Sequence, residues 1–254
     1  MIIFNLWSKI KARNLIAEFL IVTLSVTAAL AGDKYLAHLS TLEQEEVALK
    51  LIHEDLKRNY NDIQWAITEI EREDSVFVIL LRHAAKDTAL TDSMVNAGFK
   101  DLLHFRYFDR TVANTHNYDS KIKNAGKQVI QSDSLSQVLS TYYDLCLNNL
   151  TLWTEGRKDN VFAFSRLMIQ ESAYLYHGHL FIHQIQGTTV NEVLGEMTSN
   201  IRIMGMVSDQ LSYNKYHREA LVWTNEKVFS SIKTIEDYLN KNNLNYDHFN
   251  PNQG

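Results

Sequence analysis

The sequence predicts an all-α protein: an N-terminal transmembrane helix continuing into an extracytoplasmic helical bundle with long helices. Three observations carry that expectation. The run Leu15 to Ala31, LIAEFLIVTLSVTAALA, has the length and apolar character to sit in lipid. Helix breakers are scarce, with nine Gly and a single Pro, Pro251, in 254 residues, and Pro is the residue that most often ends a helix. Tyr35, Leu42, Leu49, Leu56, Ile63, Ile70 and Phe77 recur every seven residues, the spacing of a helix that buries one face.

Taken in order, residues 1–13 form a short N-terminal segment, 14–32 a membrane anchor, 33–240 the bundle and 241–254 a polar tail. The apolar run has 17 residues; at about 1.5 Å rise each they cover roughly 25 Å, against about 30 Å of hydrocarbon core. Lys9, Lys11 and Arg13 precede it, with Trp7 and Phe4 before them, and Asp33, Glu43, Glu45 and Glu46 follow. Lys and Arg stay on the cytoplasmic side of a span. The N-terminus is therefore expected in the cytoplasm and the body in the periplasm, on a single-pass protein of the bacterial inner membrane. Two rivals exist. Ala29-Leu30-Ala31 after a basic segment resembles the end of a cleavable secretory signal, which Glu18 interrupts; an apolar run of this length also suits the core helix of a soluble protein.

Inside the span, Glu18 and Ser25 lie seven residues apart and share one face. Thr23, Thr27 and Ala28 add small or hydroxylated residues, which permit close helix approach in lipid. That pattern predicts an association face carrying Glu18 and Ser25. The plainer reading has Glu18 reaching out toward Lys11 or Arg13 at the membrane edge.

The body opens with a helix over roughly 34–85, its stripe widened by Ile52, Tyr60, Ile67 and Leu81. Glu45, Asn59 and Glu73 break the neighbouring column, which argues for packing inside a bundle over a strict two-stranded zipper. Ser40 and Glu43 read as a capping box, which allows a break between anchor and body near Gly32 to Ser40. Val76 to Leu81 continues the stripe as helix. A second helix is expected over about 88–108 and a loop from Arg110 to His116. Ser134 and Gln137 read as another capping box, opening a helix through Tyr142, Cys146, Leu150 and Trp153 to a turn at Gly156 to Asn160, GRKDN. A further helix follows to about Tyr176. Thr189 and Glu192 cap the last long helix, whose stripe shifts phase before Leu221. The polar tail from Asn240 is expected to fray.

Two stretches resemble a bacterial family of unknown function. In the first, EFLIVTLSVTAALAGDKY, the places of the family anchor are taken by Glu18, Val22, Ala29, Leu30, Asp33 and Tyr35. In the second, residues 118–143, the matching positions are Tyr118, Asp119, Gly126, Val129, Ile130, Leu135, Tyr142 and Tyr143. Ala17 and Ser25 stand where the family usually has Gly. The resemblance implies single-span, N-terminally anchored, helical proteins with an extracytoplasmic body, and it supplies no catalytic residues.

Side chains with chemical potential have plain readings. His177, His179 and His183 in HGHLFIH are the most metal-like group, yet HExxH is absent and no carboxylate completes a set; they read as structural. His104 to Arg110, HFRYFDR, reads as a helix end that packs Phe105 and Phe108 while Arg106 and Asp109 face water. The lone Cys146 sits in an apolar run and reads as core. A net charge of −5 without a basic stripe speaks against nucleic acid. No motif selects a catalytic residue, a cofactor or a metal, so the chain is not expected to be an enzyme. The expected function is a membrane-anchored interaction protein, an accessory or structural subunit of an envelope complex. Its partners are the bilayer and either other membrane subunits or further copies of itself. An extracytoplasmic bundle that senses a small ligand is the alternative.

Overall fold

The computed structural model describes residues 2–86, 108–124, 129–171 and 190–242, with Leu244, Tyr246, His248, Phe249 and Pro251. Every regular element among the described residues is helical. We label them α1 (Ile2–Ala84), α2 (Asp133–Ser140), α3 (Leu147–Glu171), α4 (Val190–Ser199) and α5 (Ile201–Lys241). A π-helical segment, Thr141–Cys146, joins α2 to α3, and a short helical turn, His116–Tyr118, precedes a second π segment, Asp119–Lys123. The chain divides into two compact units, residues 1–48 and 49–254.

In the first unit, α1 is continuous across Gly32 to Ser40, as the expected continuation of the anchor into the bundle requires, and the break that a cap at Ser40 would allow does not occur. Gly32 alone costs a helix only about 1 kcal/mol, and Thr41 bonds back to the Ala37 carbonyl at 2.9 Å, as an interior helical residue does. The apolar segment is long and apolar enough to cross a membrane, and none of its apolar window is buried within the chain. A core helix of a soluble protein is mostly buried, whereas a secretory signal near the N-terminus has the same length and composition as this segment.

In the second unit the predicted column is the core. Leu49, Leu56, Ile63, Ile70 and Phe77 are all buried. The buried side chains form two apolar clusters. One gathers Leu49 to Ile70 of α1, Ile130, Leu135, the Tyr142–Leu150 region, and Leu221 to Leu239 of α5. The other gathers Phe77 and Leu80 of α1, Phe164 and Leu167 of α3, Met197 of α4, and Ile203 to Val207 of α5. Phe77 and Phe164 meet edge to face at 6.2 Å. From this order, α3 runs with α1 and α5 runs against it.

Four further local expectations are corrected. The cap of α2 is Ser132, whose Oγ accepts the Leu135 N–H at 3.4 Å, two residues before the expected Ser134. GRKDN is not a turn; α3 runs through it without interruption. The last helical stretch is broken at Asn200, whose Oδ1 accepts from the Arg202 and Ile203 N–H groups, and Ile201 just after it is 85% exposed; α5 runs unbroken through the phase shift before Leu221. The tail does not fray at every position: Leu244, Tyr246 and Phe249 pack against the first cluster. Phe249 contacts the rings of Tyr60 and Phe229, and burying aromatic surface holds the segment. The loop expected from Arg110 to His116 is present through Thr115, and His116 opens the short helical turn. The helix expected over 88–108, save its last residue, and the His177, His179 and His183 cluster lie outside the described residues, as does Thr189.

Candidate functional site

The two residues predicted for association, Glu18 and Ser25, are both exposed on α1. Around them Phe19, Ile21, Val22, Leu24, Val26 and Leu30 point outward on every side of the helix. The hydroxyls of the segment are satisfied within the helix. Thr23 donates to the Phe19 carbonyl at 2.8 Å, Ser25 to Ile21 at 2.7 Å, and Thr27 to Thr23 at 2.7 Å. Such bonds four residues back are how hydroxyls are accommodated where water is absent.

The second arrangement is inside the bundle, and sequence reasoning missed it. On α1, α3 and α5 alike, a layer of polar side chains separates the two apolar clusters. Glu73 and Asp74 come from α1, Thr154, Arg157 and Asn160 from α3, and Gln210, Asn214 and His217 from α5. Arg157 is 2% exposed and donates to Glu73 at 2.5 Å and, through Nε, to Asn214 Oδ1 at 2.8 Å. The Asn214 amide donates in turn to Glu73 and to Asp74, each at 2.8 Å. Gln210 donates to Asn214 Oδ1 at 3.0 Å and accepts from Asn160 at 2.6 Å. A guanidinium held by both a carboxylate and an amide is the form in which a buried charge is tolerated.

Burial lifts Glu73 above the ordinary carboxylate range, and the charge and hydrogen bond of Arg157 work against that rise. Burial likewise lifts Asp74, opposed by Asn214 and Arg218. Beside them, Thr154 Oγ1 lies 3.1 Å from His217 Nε2 and 3.4 Å from the Phe108 carbonyl. The buried His217 Nδ1 has no hydrogen-bond partner among the described residues. Burial, with the nearby Arg157 charge, pushes the His217 pKa down to about 3, so the ring is neutral.

Other polar positions are also structural. Asn59, read as a weak point of the α1 stripe, pairs twice with the backbone of Asn114, accepting its N–H at 2.7 Å and donating to its carbonyl at 3.1 Å. Glu45 and Glu73, from the same column, are buried as well. Asp109 was expected in water; it is buried and caps the turn that follows, accepting from the Thr111 N–H at 2.7 Å. Phe108 packs as expected; His104 to Tyr107 lie outside the described residues. Cys146 is buried, and burial pushes its thiol up to about 11. At the tail, the Glu236 carboxylate accepts the Phe249 N–H at 2.7 Å and sits 3.1 Å from His53 Nε2.

The second stretch of the family resemblance is largely core. Tyr118 stacks on Tyr143 with ring centres 4.1 Å apart, and Ile130, Leu135 and Tyr142 are buried with them. The π segment there re-aims the backbone: the Leu147 N–H reaches the Tyr142 carbonyl, while Arg110 donates to the Tyr143 carbonyl at 2.9 Å. Gly126 lies outside the described residues. Among the described residues, no three His, Cys, Asp or Glu side chains gather as a metal site. Comparisons with protein-family models, curated proteins and solved structures each find no match.

Proposed function

We propose that this chain is a membrane-anchored helical interaction protein, an accessory or structural subunit of an envelope membrane complex. The observation that carries the proposal is the outward-facing girdle from Phe19 to Leu30, apolar on all sides and with its hydroxyls bonded to its own helix. Such a surface is costly in water and suited to lipid. The basic residues before the span and the acidic ones after it support a cytoplasmic N-terminus and a periplasmic body in a bacterial inner membrane. Glu18 and Ser25 mark the association face. In the bundle, the buried Arg157 and Glu73 are paired with each other, which supports a structural role over ligand sensing.

Alkaline phosphatase fused after Leu39 or after Lys241 is expected to be active in both cases, and the chain is expected to stay in the membrane through an alkaline carbonate wash. After mild detergent extraction it should leave the membrane in a stoichiometric complex. Inactive fusions overturn the orientation, release by carbonate overturns the anchor, and extraction as a lone monomer overturns the subunit role.

A further inference from the structure

We propose that the segment carrying Leu244, Tyr246 and Phe249 is an acid-released strap: it closes water off from His53, and protonation of His53 opens it. The strap follows α5 and reaches across to α1. Leu244, Tyr246 and Phe249 are half-buried and lie outside any helix. The Leu244 N–H returns to the Leu239 carbonyl at 3.0 Å. Farther on, the Phe249 N–H is held by the Glu236 carboxylate of α5 at 2.7 Å. The Phe249 ring meets Tyr60 of α1 at 5.0 Å and Phe229 of α5 at 6.4 Å. Three half-buried anchors in an Asn-rich stretch hold far less than the packing of a core helix does. Such a segment opens while the rest of the bundle stays folded.

His53 is what the strap covers. The residue is 1% exposed, and the Tyr246 ring stands edge to face against it with centres 5.7 Å apart. His53 Nε2 lies 3.1 Å from Glu236 Oε1, the same oxygen that accepts the Phe249 N–H. A carboxylate only accepts, so the neutral ring carries its proton on Nε2. One carboxylate oxygen therefore couples the imidazole to the strap.

The groups that face the ring pull in both directions. Glu236 on α5 and Glu54 on α1, the latter 3.8 Å from Nδ1, favour the cation, and Lys57 on α1 opposes it. From the strap, Tyr246 is held uncharged by burial, and its hydroxyl lies 3.1 Å from His248 Nδ1. Burial outweighs the two carboxylates and holds His53 below 6.5. An imidazole in water titrates near 6.5. Above that pH the ring is neutral whether the strap is open or closed, and closure has its full strength. Below it the open form takes up the proton first, so closure weakens as the pH falls. Release bares the Tyr60 and Phe229 rings that Phe249 covers. The coupling is reciprocal, so loosening the strap must in turn raise the midpoint of His53.

The test is hydrogen exchange of the full chain in detergent at pH 7 and pH 5, read by mass spectrometry and corrected for the intrinsic pH dependence of exchange. On acidification, peptides spanning Leu244 to Phe249 should lose protection several-fold more than peptides from α3. His53→Gln, whose amide can still donate to Glu236, should keep the strap's protection level across that range. His248→Gln should behave as the unaltered chain. A second measurement leaves His53 in place: in a Tyr246→Ala, Phe249→Ala double variant, the His53 midpoint, followed by the ring resonances of labelled histidine, should rise toward the ordinary value near 6.5. Strap protection that stays flat in the unaltered chain, or a loss shared equally by α3, overturns the proposal. So does a loss that persists in His53→Gln or vanishes in His248→Gln, and so does a His53 midpoint that the double variant leaves unmoved.

Discussion

At the residue scale, the polar layer makes the strongest demand. Removing one partner from a buried ion pair leaves an uncompensated charge and costs about 3 to 5 kcal/mol. Arg157→Met is expected to lower stability by that order, while Arg157→Met combined with Glu73→Leu should recover much of it. Urea unfolding of the detergent-solubilised chain checks both, and a single variant within about 0.5 kcal/mol of wild type would show the pair to be idle. His217 adds a pH dependence. Its pKa falls from 6.5 unfolded to about 3 folded. Above pH 6.5 the ring is neutral in both states and contributes nothing. Between 6.5 and about 3 the unfolded state takes up the proton and the native state does not, so stability falls by up to about 1.4 kcal/mol per pH unit on acidification. His53, also depressed by burial, adds in the same direction. Glu73 and Asp74, raised by burial, oppose the loss once the pH approaches the carboxylate range. The difference between wild type and His217→Gln isolates the ring: the variant should have a shallower loss from pH 6.5 to 4.5, measured by thermal melting at each pH.

At the element scale, what was legible in the sequence was periodic. The column from Leu49 to Phe77 repeats, and each member is buried. What was not legible depends on a partner distant in sequence. Asn59 looked like a flaw in α1 because its partner, the Asn114 backbone, is 55 residues on. GRKDN has the composition of a turn, yet Arg157 is committed to Glu73, 84 residues away, and tertiary context overrides local preference there. Asn200 announces itself as a helix cap only because the chain breaks at Ser199, and Ser132 caps where Ser134 is an equal candidate by composition. Of the candidate site, spacing singles out Glu18 and Ser25 as a proposed association face; the polar layer was not legible, since no single helix contains it. The continuity of α3 has a measurable consequence at Gly156. Inside a helix, Gly costs about 0.5 to 1 kcal/mol relative to Ala. A Cβ at Gly156 meets Tyr213 Cε1 at 3.6 Å, an ordinary contact. Gly156→Ala should therefore stabilise the chain by up to about that amount in urea unfolding. A loss of more than about 1 kcal/mol would mean that the glycine serves a turn after all.

At the scale of the whole molecule, the two units have opposite surfaces. Residues 49 onward supply both apolar clusters and the polar layer between them. The first unit, residues 1–48, carries the girdle from Phe19 to Leu30, exposed throughout. A domain whose cores are complete without a segment does not need that segment to fold. A chain starting at Asp33 is therefore expected to be water-soluble and predominantly helical by far-ultraviolet circular dichroism, with a cooperative melt. Of the first unit it retains Tyr35, Leu36, Leu39, Leu42 and Val47 as exposed apolar residues, and isolated helices that short are marginal in water. Sedimentation should report a monomer, while the full chain requires detergent. A shortened chain that aggregates, or a spectrum dominated by strand, would show that the first 32 residues belong to the fold and that the girdle is covered by the body instead of by lipid.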